Sequence, residues 1–175
     1  MDSHDDDIRE QKRMGLTMQA FAWVVLLCLG VFYFGDVLDR QHNPNRSPDT
    51  AYLQGGVREV VLQRNRQGHY VAGGEINGYP VTFLLDTGAT GVAVPMGLAE
   101  RIGIARGAAF PTRTANGIST SYAASLDSVS LGDIELRDVS AGITPGLTGQ
   151  EVLLGMSFLK HIEFTQRGDT LILRQ

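Results

Sequence analysis

The sequence has one cysteine, Cys28, among 175 residues. A lone thiol excludes an intrachain disulfide and leaves no cysteine-pair metal site. Excess basic charge is missing too, with 15 Lys and Arg against 19 Asp and Glu. No basic footprint therefore points to nucleic acid as a partner. Aromatic residues are scarce at 7%, whereas glycine occurs 21 times. With many Val, Ile and Thr, that balance favours a turn-rich β protein over a helical bundle. No internal repeat is present. His4 with Asp5-Asp6-Asp7 reads as a solvated charged tail over residues 1–13 rather than a cation site, and no metal or other cofactor is expected.

Charge disappears altogether from Met14 to Phe34, where Leu16, Phe21, Trp23, Val24, Val25, Leu26, Leu27, Leu29, Val31 and Phe32 dominate. About 20 such residues, at ~1.5 Å each, span the hydrocarbon of a bilayer. Residues 14–35 are therefore expected to be a transmembrane anchor. A cleaved signal peptide is the other reading, but the apolar run exceeds the usual ~7–15 residues and no small-x-small site follows Phe34. Arg9, Lys12 and Arg13 crowd the N-terminal flank, while Arg40 and Arg46 lie further out on the other. Basic residues stay cytoplasmic, so the N-terminus is expected inside and the rest of the chain outside. Residues 36–56, with Asn43-Pro44-Asn45-Arg46-Ser47-Pro48-Asp49, read as a polar linker.

From Val57 onward the pattern turns to short strands. Strands are expected at 58–63, 69–76, 79–85, 92–95, 112–115, 118–125, 129–131, 134–143, 152–154, 164–166 and 170–173. Asn77-Gly78 and Asn116-Gly117 are hairpin signals, because these residue types tolerate the positive φ that tight hairpin turns need. One brief amphipathic helix is expected over 96–102 and a helical turn over 156–161.

The most informative stretch is Val81-Thr82-Phe83-Leu84-Leu85-Asp86-Thr87-Gly88-Ala89-Thr90. A buried strand delivers a carboxylate, a hydroxyl and a glycine at its end. Burying a carboxylate is costly unless it is hydrogen-bonded, paired or neutralised, so Asp86 leaving the core in a Thr-Gly turn looks arranged for chemistry. An apolar-apolar-Gly strand, Leu153-Leu154-Gly155, follows about seventy residues later.

These paired motifs, Phe83 to Thr90 and Val152-Leu153-Leu154-Gly155-Met156-Ser157-Phe158-Leu159, resemble the retropepsin-like aspartic proteases, and most nearly their bacterial, membrane-anchored branch. The likeness covers residues 57–175. It implies an all-β fold: a retropepsin-like closed β-barrel half-site with one short helix, preceded by the transmembrane helix. It also implies an aspartic endopeptidase acting on peptide or protein substrates with no metal. Two carboxylates about 3 Å apart share one proton; one activates a water and the other polarises the scissile carbonyl. Asp133, Asp127 and Asp169 are not followed by Thr or Ser and Gly, so the resemblance implies a homodimer in which Asp86 meets Asp86 across a two-fold axis.

Further roles follow from the same likeness. Thr87 would hydrogen-bond across the dimer, Gly88 would allow close approach, and Ala89 and Thr90 would complete the active-site loop, with Thr90 bonding the carboxylate. Leu154 and Gly155 would support that loop from behind. Ala115, Asn116, Gly117 and Ile118 would form the flap over substrate. Retroviral members carry charged residues after the second glycine, where this chain has Met156-Ser157, so no ion-pair network is expected there. The bacterial likeness places the anchor in the inner membrane, the N-terminus in the cytoplasm and the protease domain in the periplasm.

Plainer readings stand beside these. Asp86 as a structural turn aspartate, a non-catalytic dimerisation or peptide-binding module on the same fold, and a secreted protease without its first segment are the alternatives. His69, His161 and Cys28 read as surface or packing residues, Asp127, Asp133 and Asp138 as turn carboxylates, and Tyr122 as a residue beside the flap.

Overall fold

The computed structural model describes residues 3–114, 117–147 and 149–175. The chain divides into two units, Met1–Arg40 and Gln41–Gln175. Helix α1, Ser3–His42, fills the first unit and ends in the second. Residues 3–13 were expected as disordered tail, yet they join the helix. Glu10, Gln11, Lys12 and Arg13 are good helix formers, and propagation from an existing helix is cheap. The helix stops before Asn43-Pro44, because proline disfavours the helical region for the residue ahead of it. Its Thr17–His42 stretch, with mean hydropathy 2.1, is long and apolar enough to cross a membrane.

The second unit is mostly β. Its strands are β1 (Thr50–Tyr52), β2 (Arg58–Gln63), β3 (Tyr70–Ile76), β4 (Tyr79–Leu85), β5 (Val92–Pro95), β6 (Ala109–Thr114), β7 (Gly117–Leu131), β8 (Ile134–Thr144), β9 (Glu151–Leu154), β10 (Glu163–Arg167) and β11 (Thr170–Arg174). Helix α2 (Met96–Arg101) follows β5, and α3 (Met156–Leu159) follows β9. A seven-stranded sheet runs β3-β4-β9-β5-β8-β7-β6. An additional pairing of β3 with β7, Glu75 to Ser130 and Ile76 to Val129, closes a circuit through six of those strands. A four-stranded sheet, β1-β2-β11-β10, joins strands from the two ends of the unit.

Alternation explains the core. Val81 and Phe83 of β4, Val60 and Leu62 of β2, and Leu171 and Leu173 of β11 point inward and are buried. They meet Leu126, Ile143, Leu154 and Phe158 in one cluster. Asn77 and Gly78 both have positive φ, 51° and 77°, the turn form that suits a two-residue hairpin. Asn77 also accepts the Ser128 N–H on its side chain at 3.0 Å, pinning that hairpin to β7.

Two expectations need correction. The strands expected at 118–125 and 129–131 are one fifteen-residue strand, β7. Polar Asp127-Ser128 looked like a turn, but the ladder with β8 resumes after skipping Asp127 opposite Asp138, which has φ 53°. The linker expected over residues 36–56 is no free tether either. Asn43 and Asn45 are buried, and Thr50–Tyr52 pairs with β2. The Asn45 amide donates to the Gln63 and Val71 carbonyls at 2.9 and 2.8 Å and accepts the Gln63 N–H at 2.7 Å. Its own carbonyl accepts the Gly73 N–H at 2.8 Å. Gly73 is required there, since a Cβ would press on the Arg46 carbonyl, 2.9 Å from its carbon. Asparagine side chains here do the work of backbone, which composition alone reads as solvated loop.

Removing that amide strands one N–H and two carbonyls, each worth about 1–3 kcal/mol if left unpaired in the interior. Asn45→Ala should therefore lower unfolding stability by at least about 3 kcal/mol in a urea titration. A loss below about 0.5 kcal/mol, the usual range for surface changes, would show that the strap contributes nothing.

Candidate active site

Strand β4 lies between β3, antiparallel, and β9, parallel. Its backbone is thus held on both sides up to Leu85, and the next residue is Asp86. The Asp86 N–H donates to the Leu154 carbonyl at 3.2 Å, extending the β4–β9 ladder by one bond. The chain then turns: the Ala89 N–H donates to the Asp86 carbonyl at 3.2 Å. The Gly88 N–H donates to Asp86 Oδ1 at 2.8 Å. An aspartate accepting the N–H two residues on is a turn in its own right, and an ionised acceptor strengthens that bond.

Asp86 is half-buried, Ala89 likewise, and Thr87, Gly88 and Thr90 are exposed. The hydrogen bond described at the carboxylate is that from Gly88. A Cβ on Gly88 would stand 3.1 Å from Asp86 Oδ1, so glycine keeps that flank of the carboxylate open. One carboxylate fixed this way can accept a proton or, once protonated, donate one. It cannot do both at once for a single substrate.

Behind the turn lies Gly155. A Cβ there would be 2.6 Å from the Ala89 carbonyl oxygen and closer still to that of Gly91. The Met156 N–H donates to that Ala89 carbonyl at 2.9 Å. The loop therefore rests directly on the backbone of residues 155–156. Ser157 adds a contact that sequence reasoning missed. Its hydroxyl accepts the Val92 N–H at 2.9 Å and donates to the Ser140 carbonyl at 2.8 Å. It ties the far end of the Asp86 loop to α3 and β8, in the place where charged residues were noted as lacking. A lone serine on a helical turn carries no signal that would have revealed this.

The structure thus brings together Asp86 to Thr90, Leu154 and Gly155. Of the expected flap residues, Gly117 and Ile118 open β7. Gly117 pairs with Thr114 and Ile118 with Arg113, and the strand pairings of β7 run to β6, β8 and β3. Ile118 is 78% exposed. Ala115 and Asn116 lie outside the described residues. Among the described residues no group of three or more His, Cys, Asp or Glu is placed to hold a metal ion.

The family model described as "gag-polyprotein putative aspartyl protease" matches residues 72–161, from β3 through α3, and so takes in both the Asp86 turn and Gly155. The chain belongs to the retropepsin-like aspartic protease family. A solved retropepsin-like aspartic protease from Rickettsia conorii is similar at 27% identity and a TM-score of 0.55, covering 73% of this chain and 94% of that one. An uncharacterized protein in the cobV 5′ region of a Sinorhizobium species is 35% identical over 123 residues, 68% of this chain and 53% of its own. An uncharacterized protein of Rickettsia prowazekii is 31% identical over 122 residues, 67% of this chain and 52% of its own. The chain spans about half the length of these two relatives. The mostly-β, retropepsin-like fold implied by the paired motifs is the fold observed.

Two substitutions probe the loop from behind. Gly155→Ala forces the loop forward and should cost about 1–3 kcal/mol, the usual range for overpacking. Ser157→Ala leaves the N–H of Val92, a residue only 1% exposed, without its acceptor and should cost about 1–2 kcal/mol. Thermal unfolding of both variants checks this; unchanged midpoints would show the loop is not braced through these residues.

Proposed function

We propose that this protein is a membrane-anchored, homodimeric aspartic endopeptidase whose two Asp86 carboxylates, one from each copy, activate water for peptide hydrolysis. What carries the reading is a single Asp-Thr-Gly turn, rigidly based yet presenting Asp86, Thr87 and Gly88 toward solvent. One copy supplies half of an acid–base pair, and a two-fold axis supplies the other half without a second motif.

With two carboxylates side by side, one proton is shared between them. The ionised partner takes a proton from the bridging water, and the protonated partner hydrogen-bonds the scissile carbonyl as it becomes tetrahedral. Thr87 bonds across the axis and fixes the spacing. Leu154 and Gly155 keep the loop from yielding. The hairpin at residues 115–118 closes over substrate and excludes water.

The apolar helix anchors each copy with the N-terminus in the cytoplasm and the β unit in the periplasm, as the Arg9, Lys12 and Arg13 flank favours. Two copies confined to one membrane meet at a raised effective concentration, which supports the dimer.

Full-length protein in lipid vesicles should cleave a mixed peptide library, and Asp86→Asn should lower the rate at least ~10³-fold, within the range of acid–base catalysis. The Asn variant should dimerise no more weakly, since two neutral amides can sit side by side without the shared proton that two carboxylates require. Equal cleavage by both proteins contradicts the mechanism. No cleavage by either, with a dimer intact, favours a non-catalytic peptide-binding module.

A further inference from the structure

We propose that His42, the residue that ends α1, is a positioning residue for the active site: through Glu151 it holds β9, and with β9 it holds Gly155 and the Asp86 loop. This rests on the protease reading above and adds the contact that ties the catalytic loop to the end of the anchor helix.

His42 belongs to the same compact unit as the strands. Its imidazole Nε2 donates to the Glu151 carboxylate, which in its ionised form can only accept. Glu151 opens β9, and Gly155 follows directly after that strand. Val152 and Leu154 of β9 are buried, while Glu151 and Leu153 alternate with them on the other face. At its start the strand has β4 on one side, with Glu151 opposite Thr82, and its pairing with β5 comes only at Leu153. The His42 contact fixes that start. A slip of one residue would exchange the two faces of the strand and carry Gly155 out from beneath the carbonyls of Ala89 and Gly91.

His42 can hold Glu151 because it is held itself. Its carbonyl accepts an N–H from the Asn65 amide at 2.9 Å. Asn65 is buried, and its Oδ1 accepts the Gln67 and His69 N–H groups at 3.0 and 2.9 Å. One residue before His42, Gln41 Oε1 accepts from Arg66 at 3.1 Å. Beyond it, Asn45 bonds Val71 and Gly73 of β3, which stand opposite Leu84 and Thr82 of β4. Residues 41–45 therefore grip both strands that flank β4, and Asp86 leaves the end of β4 between them.

Charge is the smaller part of what the pair supplies. The His42 and Glu151 side chains are 46% and 31% exposed, and water screens such a pair. Position is the larger part, since a displacement of ~1 Å far from the chemistry can cost ~100-fold in rate. A protease unit parted from residues 41–45 would keep its motifs and lose this grip. The enzyme is thus fastest while joined to its anchor.

The test compares full-length variants in lipid vesicles, with kcat and KM measured on one cleaved peptide well below the unfolding midpoint. His42→Ala and Glu151→Ala should each lower kcat about 10-fold and leave KM within about twofold. The two side chains act as a unit, so the double variant should lose no more than either single one. Glu151→Gln keeps an acceptor for the imidazole and should stay within about twofold of wild type. A residue that only stabilises the fold leaves kcat unmoved at that temperature. Amide hydrogen exchange over residues 86–92 should quicken in both Ala variants but not in Glu151→Gln. If wild type cleaves peptide while the Ala variants match it in kcat and exchange, His42 positions nothing and the protease reading stands. Additive losses in the double variant, or a Gln variant as slow as Glu151→Ala, likewise overturn the positioning role alone. A wild type that cleaves nothing overturns both.

Discussion

The structure depends on one close approach of backbone to backbone, that of Gly155 to the carbonyls of Ala89 and Gly91. It is possible only without a side chain, and it sets the depth at which the Asp86 turn sits. From there the constraints propagate outward. Strand β9 must run parallel to β4 to deliver Gly155 beneath the turn. Helix α3 must begin at once so that Met156 and Ser157 can hold Ala89 and Val92. The core cluster, with Phe83, Leu154 and Phe158 buried together, fixes those three elements against each other. Rigidity at the carboxylate is thus a product of packing several residues away from it.

The opposite is true of the residues in front. Thr87, Gly88 and Thr90 face solvent, and Ile118 stands out on the hairpin. A firm base under an open, polar front is the arrangement expected where a second molecule completes the site. Preorganised groups lower the cost of reaching the reactive geometry, whereas the covering parts must move to admit substrate.

Much of this was legible in the residues. Strand-to-turn patterning around Asp86 and the apolar-apolar-Gly strand at Gly155 predicted the paired elements, and Asn77-Gly78 predicted its hairpin. These signals are local: alternation, turn chemistry and glycine act within a few residues of where they are read. The Asn43–Asn45 strap, the continuity of β7 through Asp127 and the Ser157 bridge were not legible. Each depends on partners far off in sequence, Gln63 and Val71 for Asn45, β8 for Asp127, Val92 and Ser140 for Ser157. Polar residues satisfied at long range look identical, in sequence, to polar residues satisfied by water.

The central claim is that each site needs Asp86 from two copies. Co-expressing wild type with Asp86→Asn at known ratios, and measuring peptide cleavage per total protein in vesicles, tests it directly. If random pairing builds the site, activity follows the square of the wild-type fraction, so an equal mixture retains about one quarter. Activity that falls only in proportion, to about one half, would mean that a single chain carries a complete site, and the account would be wrong.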